Sequence, residues 1–162
     1  MRIDDDLYAL AIQLGQRLSE RRAMVATAES CTGGLVAGAV TAVAGSSEWF
    51  ERGFVTYSND AKIEQLGVSR ETLETYGAVS ARTVEEMAAG ARRASRADWA
   101  MAVTGVAGPG GGSVEKPVGT VWFGWAGPGG VASERRLLHG DRATIRRESV
   151  RIALAGLIDR IA

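Results

Sequence analysis

The segment Thr27-Ala28-Glu29-Ser30-Cys31-Thr32-Gly33-Gly34 joins a hydroxyl nucleophile to a backbone built to turn. One apolar run, Ala23 to Ala28, ends there, and a second, Leu35 to Ala44, begins. Read as a strand followed by a helix, the pattern sets Ser30 at the mouth of the fold. Gly33 and Gly34 permit a sharp turn and close approach of backbone to a ligand. The first amides of the following helix lack intrahelical partners and point to the same place. Such a turn can hold a nucleophilic serine beside oxyanion donors, for which the amides of Thr32, Gly33 and Gly34 are candidates. A plain structural role competes with this one, because Ser and Thr cap helices and Gly-Gly marks tight turns.

A serine nucleophile needs a base. The chain has one Cys (Cys31) and one His (His139). An intrachain disulfide and a Cys/His zinc site within one chain are therefore excluded. A Ser-His-Asp or Cys-His triad would have to use His139, so another base is favoured. Lys62 is the candidate, in Tyr57-Ser58-Asn59-Asp60-Ala61-Lys62. It falls near the start of a short helix, where the dipole disfavours a cation. Burial would lower its pKa further, and a neutral lysine can take the serine proton. Tyr57 is a candidate to relay that proton or to position Lys62. The competing readings are an exposed lysine and a strand-end aromatic with a wet hydroxyl. Cys31 ranks below Ser30, since a lone Cys commonly fills apolar space.

Thr104-Gly105-Val106-Ala107-Gly108-Pro109-Gly110-Gly111-Gly112 is a glycine-rich loop after a third apolar run. It can cradle a phosphate or supply amides, or serve as a mobile linker. No Gly-Lys-Ser/Thr follows, so it is not a Walker A loop, and its glycine spacing is not that of a dinucleotide fingerprint. Arg142, Arg146 and Arg147 open the last helix, where cations need an anion or carboxylate to answer them, or form a solvated face. Arg92, Arg93 and Arg96 fall near a helix C-terminus and read as solvated and structural.

These groups must be positioned by an alternating array of elements. Asp4-Asp5-Asp6 starts a helix that carries Leu7, Leu10, Leu14 and Leu18 on one face. Met24 to Ala28 is a buried strand, and Leu35 to Ala44 a helix apolar all round, with Gly38 and Ala39 allowing close packing. Glu48 to Arg52 forms one turn carrying Trp49 and Phe50, and Gly53 to Tyr57 a second strand. Ser58, Asn59 or Asp60 caps a short helix ended by Gly67; Ser69 caps another ended by Gly77; Ser80 starts a longer one. Trp99 to Val103 and Gly119 to Ala126 are strands three and four. Gly127-Pro128-Gly129-Gly130 turns the chain into an antiparallel fifth strand, Val131 to Leu138. Asp141 caps the last helix, with Val150, Leu154, Leu157 and Ile161 on one face. The expected fold is a three-layer α/β/α sandwich with a mixed, mostly parallel sheet, one domain spanning 1–162. Ser30, Tyr57 to Lys62, and Thr104 to Gly112 then meet at the carboxyl ends of three strands.

Nineteen basic residues balance nineteen acidic ones. No charge excess drives association with nucleic acid. No apolar run is long enough to span a membrane, and the acidic N-terminus is unlike a signal peptide. A cytoplasmic location is expected. Trp49 or Trp125, if exposed, would mark an oligomer interface, and a homodimer is the expected assembly.

The motif Ala28-Glu29-Ser30-Cys31-Thr32-Gly33-Gly34, then Val55 to Lys62, then Tyr76-Gly77-Ala78-Val79-Ser80, resembles the CinA C-terminal domain family. So do Ala102 to Gly112, Glu115-Lys116-Pro117-Val118-Gly119-Thr120-Val121, and Gly140-Asp141-Arg142 with Ile145-Arg146. The order is kept over most of the chain. Gly110, often Asp or another polar residue in the family, and Val106, often Ile, depart from the pattern without touching the proposed chemistry. The resemblance implies an α/β/α fold and the stand-alone form of a nicotinamide-nucleotide amidohydrolase, which converts nicotinamide mononucleotide to nicotinic acid mononucleotide and ammonia in pyridine nucleotide recycling. It implies a serine nucleophile with a nearby lysine and tyrosine, here Ser30, Lys62 and Tyr57, and neither metal nor cofactor. Candidate substrate-binding residues are Thr32, Gly33, Gly34, Asn59, Thr104, Gly105, Ala107, Gly108, Arg142 and Arg146. The alternatives are a non-catalytic nucleotide-binding or assembly module, and an amidase of another small amide.

Overall fold

The computed structural model describes residues 2–161. Five strands, β1 (Val25–Glu29), β2 (Phe50–Val55), β3 (Trp99–Gly105), β4 (Thr120–Gly127) and β5 (Gly130–Leu137), form one sheet in the order β2-β1-β3-β4-β5. β1 pairs in parallel with β2 and β3, and the hairpin β4–β5 continues the sheet antiparallel. Four of the five strands thus point the same way, and the sheet is mixed as expected. β1 is buried on both faces along its whole length, which its run of small apolar residues permits. Edge strand β5 is mostly exposed or half-exposed.

Helices cover both faces. One layer holds α1 (Asp5–Glu20), α2 (Leu35–Thr41) and α6 (Arg142–Arg160); the other holds α3 (Asn59–Leu66), α4 (Arg70–Tyr76) and α5 (Ala81–Arg93). Each face has its own core. Leu14, Leu18, Val40, Phe123, Trp125, Leu154 and Leu157 fill the first; Leu66, Val84, Met87 and Ala88 fill the second. Five helices begin with a side-chain cap: Asp4, Ser58, Ser69, Ser80 and Asp141 accept from the amides of Leu7, Ala61, Thr72, Thr83 and Thr144. Each such cap is worth about 1 kcal/mol.

Three expectations are corrected. α2 stops at Thr41 and is not apolar on every side in its setting: Val36, Ala39 and Val40 are buried, while Gly38 faces open space. Phe50 and Arg52 belong to β2, preceded by a short 3-10 turn, Ser46–Glu48, and Tyr57 lies beyond the strand. Trp49 and Trp125 are buried, so neither marks an exposed interface. Trp125 donates its indole N–H to the Ala153 carbonyl (3.0 Å) and lies under the Arg160 guanidinium. The glycine-rich loop is anchored near its start: Val106 N–H donates to Thr120 O and Val106 O accepts from Gly119 N–H.

Candidate active site

The register sets Glu29 at the end of β1 opposite Val55 of β2 and Val103 of β3. Three parallel strands therefore finish together. The chain leaves β1 toward β2 on one side, and β3 lies on the other, so this end of the sheet is a topological switch point. Ser30 N–H donates to Val103 O (3.0 Å) and Thr56 N–H to Glu29 O (2.8 Å), which locks the first residues past the strands.

Ser30 and Lys62 meet here. Ser58 caps α3 and aims its fourth residue, Lys62, back under β1. Lys62 is 1% exposed. Its Nζ donates to Ser30 Oγ (3.1 Å) and to the carbonyls of Thr56 (2.8 Å) and Tyr57 (3.2 Å). No carboxylate pairs with it among the described residues. Burial pulls the lysine down to about 8, a partial offset coming from the Cys31 thiol. At neutral pH a useful fraction of the amine is neutral and next to the serine hydroxyl. Tyr57 contributes through its backbone carbonyl; its ring is exposed, and its hydroxyl accepts from Arg142 Nη2 (3.2 Å), not from Lys62.

Glu29 is a buried carboxylate beside the site that the sequence pattern did not single out. Its carboxylate accepts from Val36 N–H (2.7 Å) and Ala37 N–H (3.1 Å), and it is 1% exposed. Gly34 occupies the N-cap of α2 and has no side chain to do this. The strand-borne carboxylate caps the helix in its place and suits the positive dipole end. Glu29 thus engages Val36 and Ala37 of α2 and leaves the expected donors, the amides of Thr32, Gly33 and Gly34, to the turn before it. The one local hint was a carboxylate ending an apolar strand ahead of a helix whose N-cap is glycine.

Of these turn amides one is engaged within the turn itself. Gly33 N–H donates to Ser30 O, and Leu35 N–H to Thr32 O. The N–H groups of Cys31, Thr32 and Gly34 have no acceptor among the described residues. Gly33 and Gly34 sit at φ +57° and +106°, conformations that disfavour a side chain. Thr32 is fully buried as a whole residue, so neither its side chain nor its backbone is open to a substrate. Burial pushes the Cys31 thiol up to about 11, with the Glu29 carboxylate adding to the rise. That makes Cys31 a poor nucleophile.

Arg142 and Arg146, one turn apart on α6, tie the three strand ends together. Arg142 Nη1 donates to Gly108 O (2.8 Å) while Nη2 reaches Tyr57. Arg146 Nε and Nη2 donate to the carbonyls of Cys31 (3.1 Å) and Thr32 (3.3 Å). Arg147 points elsewhere and pairs with Asp4, Asp6 and Glu148. Thr104 Oγ1 is occupied by Ala78 O (2.9 Å), Ala107 is buried, and Asn59 is exposed at the first turn of α3. Gly105 ends β3, and the space beside it is filled by Thr120 and Val121. Among the described residues no group of three or more His, Cys, Asp or Glu side chains is placed to hold a metal ion. No described helix is long and apolar enough to cross a membrane.

The chain is similar to known proteins over nearly its full length. The family model for the CinA C-terminal domain matches residues 7–161. A protein of Escherichia coli (strain K12) called nicotinamide-nucleotide amidohydrolase PncC is 56% identical over 155 residues, covering 95% of this chain and 94% of that protein. One of the same name from Pseudomonas putida is 54% identical over 154 residues, covering 95% and 96%. The crystal structure of the competence/damage inducible protein CihA from Agrobacterium tumefaciens superposes with a TM-score of 0.95 at 51% identity, covering 98% of each chain. On the fold, the converging strand ends and these matches together, the chain belongs to the CinA C-terminal domain family.

Proposed function

We propose that the protein is an amidohydrolase that converts nicotinamide mononucleotide to nicotinic acid mononucleotide and ammonia, in pyridine nucleotide recycling. The observation that carries the mechanism is the 3.1 Å contact between Lys62 Nζ and Ser30 Oγ, with the lysine buried and pulled to about 8. The names of the similar proteins support the substrate.

Neutral Lys62 accepts the Ser30 proton as Oγ bonds to the carboxamide carbon. Free amides of the turn hold the oxyanion, each such donor being worth about 3 kcal/mol. The C–N bond breaks, and the departing nitrogen takes the proton from Lys62 and leaves as ammonia. Water then attacks the acyl-enzyme, gives its proton to Lys62, and releases the acid while Ser30 is reprotonated. The carbonyls of Thr56 and Tyr57 hold the ammonium form of Lys62 between these steps. The 5′-phosphate lies toward Arg142 and the Gly108 to Gly112 loop, with Tyr57 and Asn59 at the rim. Ammonia release from nicotinamide mononucleotide, its riboside and free nicotinamide tests the reading. Turnover should be fastest with the mononucleotide; no release from any of the three would refute it.

A further inference from the structure

Arg146 has the charge of a phosphate ligand, but its fork is already engaged. Nε and Nη2 grip the carbonyls of Cys31 and Thr32, and among the described residues no carboxylate pairs with it. Its Nη2 also lies against Gly33, where a side chain would be only 3.4 Å away. In a trans peptide the carbonyl and the following N–H point in opposite directions. Arg146 therefore holds the Cys31–Thr32 peptide with its carbonyl toward α6 and the Thr32 N–H turned away from it. That N–H has no acceptor among the described residues. The Gly33 N–H to Ser30 O bond (3.0 Å) closes a four-residue turn that starts at Ser30. Arg146 grips the carbonyls of the second and third residues of that turn, and so fixes the backbone that carries Ser30.

We propose that Arg146 is a positioning residue for the amide hydrolysis: its fork on the Cys31 and Thr32 carbonyls holds the Ser30 turn in its reactive geometry, and it does not bind the substrate phosphate. The inference rests on Ser30 being the nucleophile, and its test separates the two. Arg146→Gln and Arg146→Lys are compared with the wild type in two assays. In the first, kcat for nicotinamide mononucleotide and for its riboside should fall together, by at least about tenfold, with KM within about twofold. A misplacement of about 1 Å at a reacting group can cost about 10²-fold, and loss of the fork removes part of that. A rise in KM confined to the phosphate-bearing substrate, with kcat kept, overturns the proposal. In the second, an alkyl fluorophosphonate labels Ser30: Oγ bonds to phosphorus, fluoride leaves, and Lys62 takes the proton. Attack by Oγ needs the same turn geometry, so labelling should slow by a factor similar to that in kcat. Labelling of both variants at the wild-type rate overturns the proposal. Wild-type protein that is labelled but releases no ammonia from the mononucleotide refutes the substrate, and labelling rates then decide the role of Arg146. Wild-type protein that is never labelled refutes both. Should Arg146→Gln fail to fold, Arg146→Lys, which keeps the charge but not the fork, carries the comparison.

Discussion

Lys62 Nζ stands 3.1 Å from Ser30 Oγ, and the ammonium it would form is held by two backbone carbonyls and no carboxylate. In the proposed mechanism this pairing supplies a base without histidine, one sensitive to pH near neutrality. Burial pulls Lys62 to about 8 from 10.5. The rate at limiting substrate should follow the neutral amine, rising with pH and levelling off above about 8. A profile flat from pH 6 to 9 would remove Lys62 as the base.

The same burial predicts a stability signature. Below about pH 8 the folded protein carries a buried ammonium, and the penalty is fully present. Between about 8 and 10.5 the folded state loses the proton before the unfolded chain does, so the penalty fades as pH rises. Lys62→Met carries no such penalty. Its stability relative to wild type should fall by about 1.4 kcal/mol per pH unit across that window. Denaturant unfolding at pH 7 and pH 10 measures the change; an unchanged difference would contradict it.

Glu29→Gln should cost both stability and rate. Glutamine offers one acceptor where Val36 and Ala37 need two, and its NH2 opposes the second amide. A buried unpaired amide costs about 1–3 kcal/mol. The expected result is a Tm lower by several degrees, together with a lower kcat because the Ser30 turn hangs on α2. A variant with wild-type Tm would show that this cap contributes little.

Cys31 should be dispensable for the chemistry. It is buried, and its thiol is pushed up to about 11. Cys31→Ala should keep activity within a few-fold, and iodoacetamide at pH 7.5 should leave the native enzyme active. Rapid inactivation by iodoacetamide would mean that the thiol is exposed and ionised.

The legible parts of this molecule were those with local signals. Asp4, Ser58, Ser69, Ser80 and Asp141 announce helix starts by residue type, and the structure uses each as a cap. Lys62 was legible through elimination, since one histidine left few bases, and through its place near a helix start. Contacts between distant elements were not legible. Arg146 meets Cys31 across 115 positions, and only the packing of α6 beside α2 reveals that its fork grips carbonyls. Glu29 was hidden because capping is expected from the residue just before a helix, not from the preceding strand. Trp125 looked available for an interface because nothing local shows Arg160 and Ala153 covering it.

The central claim is that Ser30 attacks the carboxamide. Ammonia release from nicotinamide mononucleotide by folded Ser30→Ala protein tests it most directly. The predicted rate is lower than wild type by about 10³-fold or more, since the residual comes from binding and oxyanion donors alone. A Ser30→Ala protein that releases ammonia at the wild-type rate would contradict the claim.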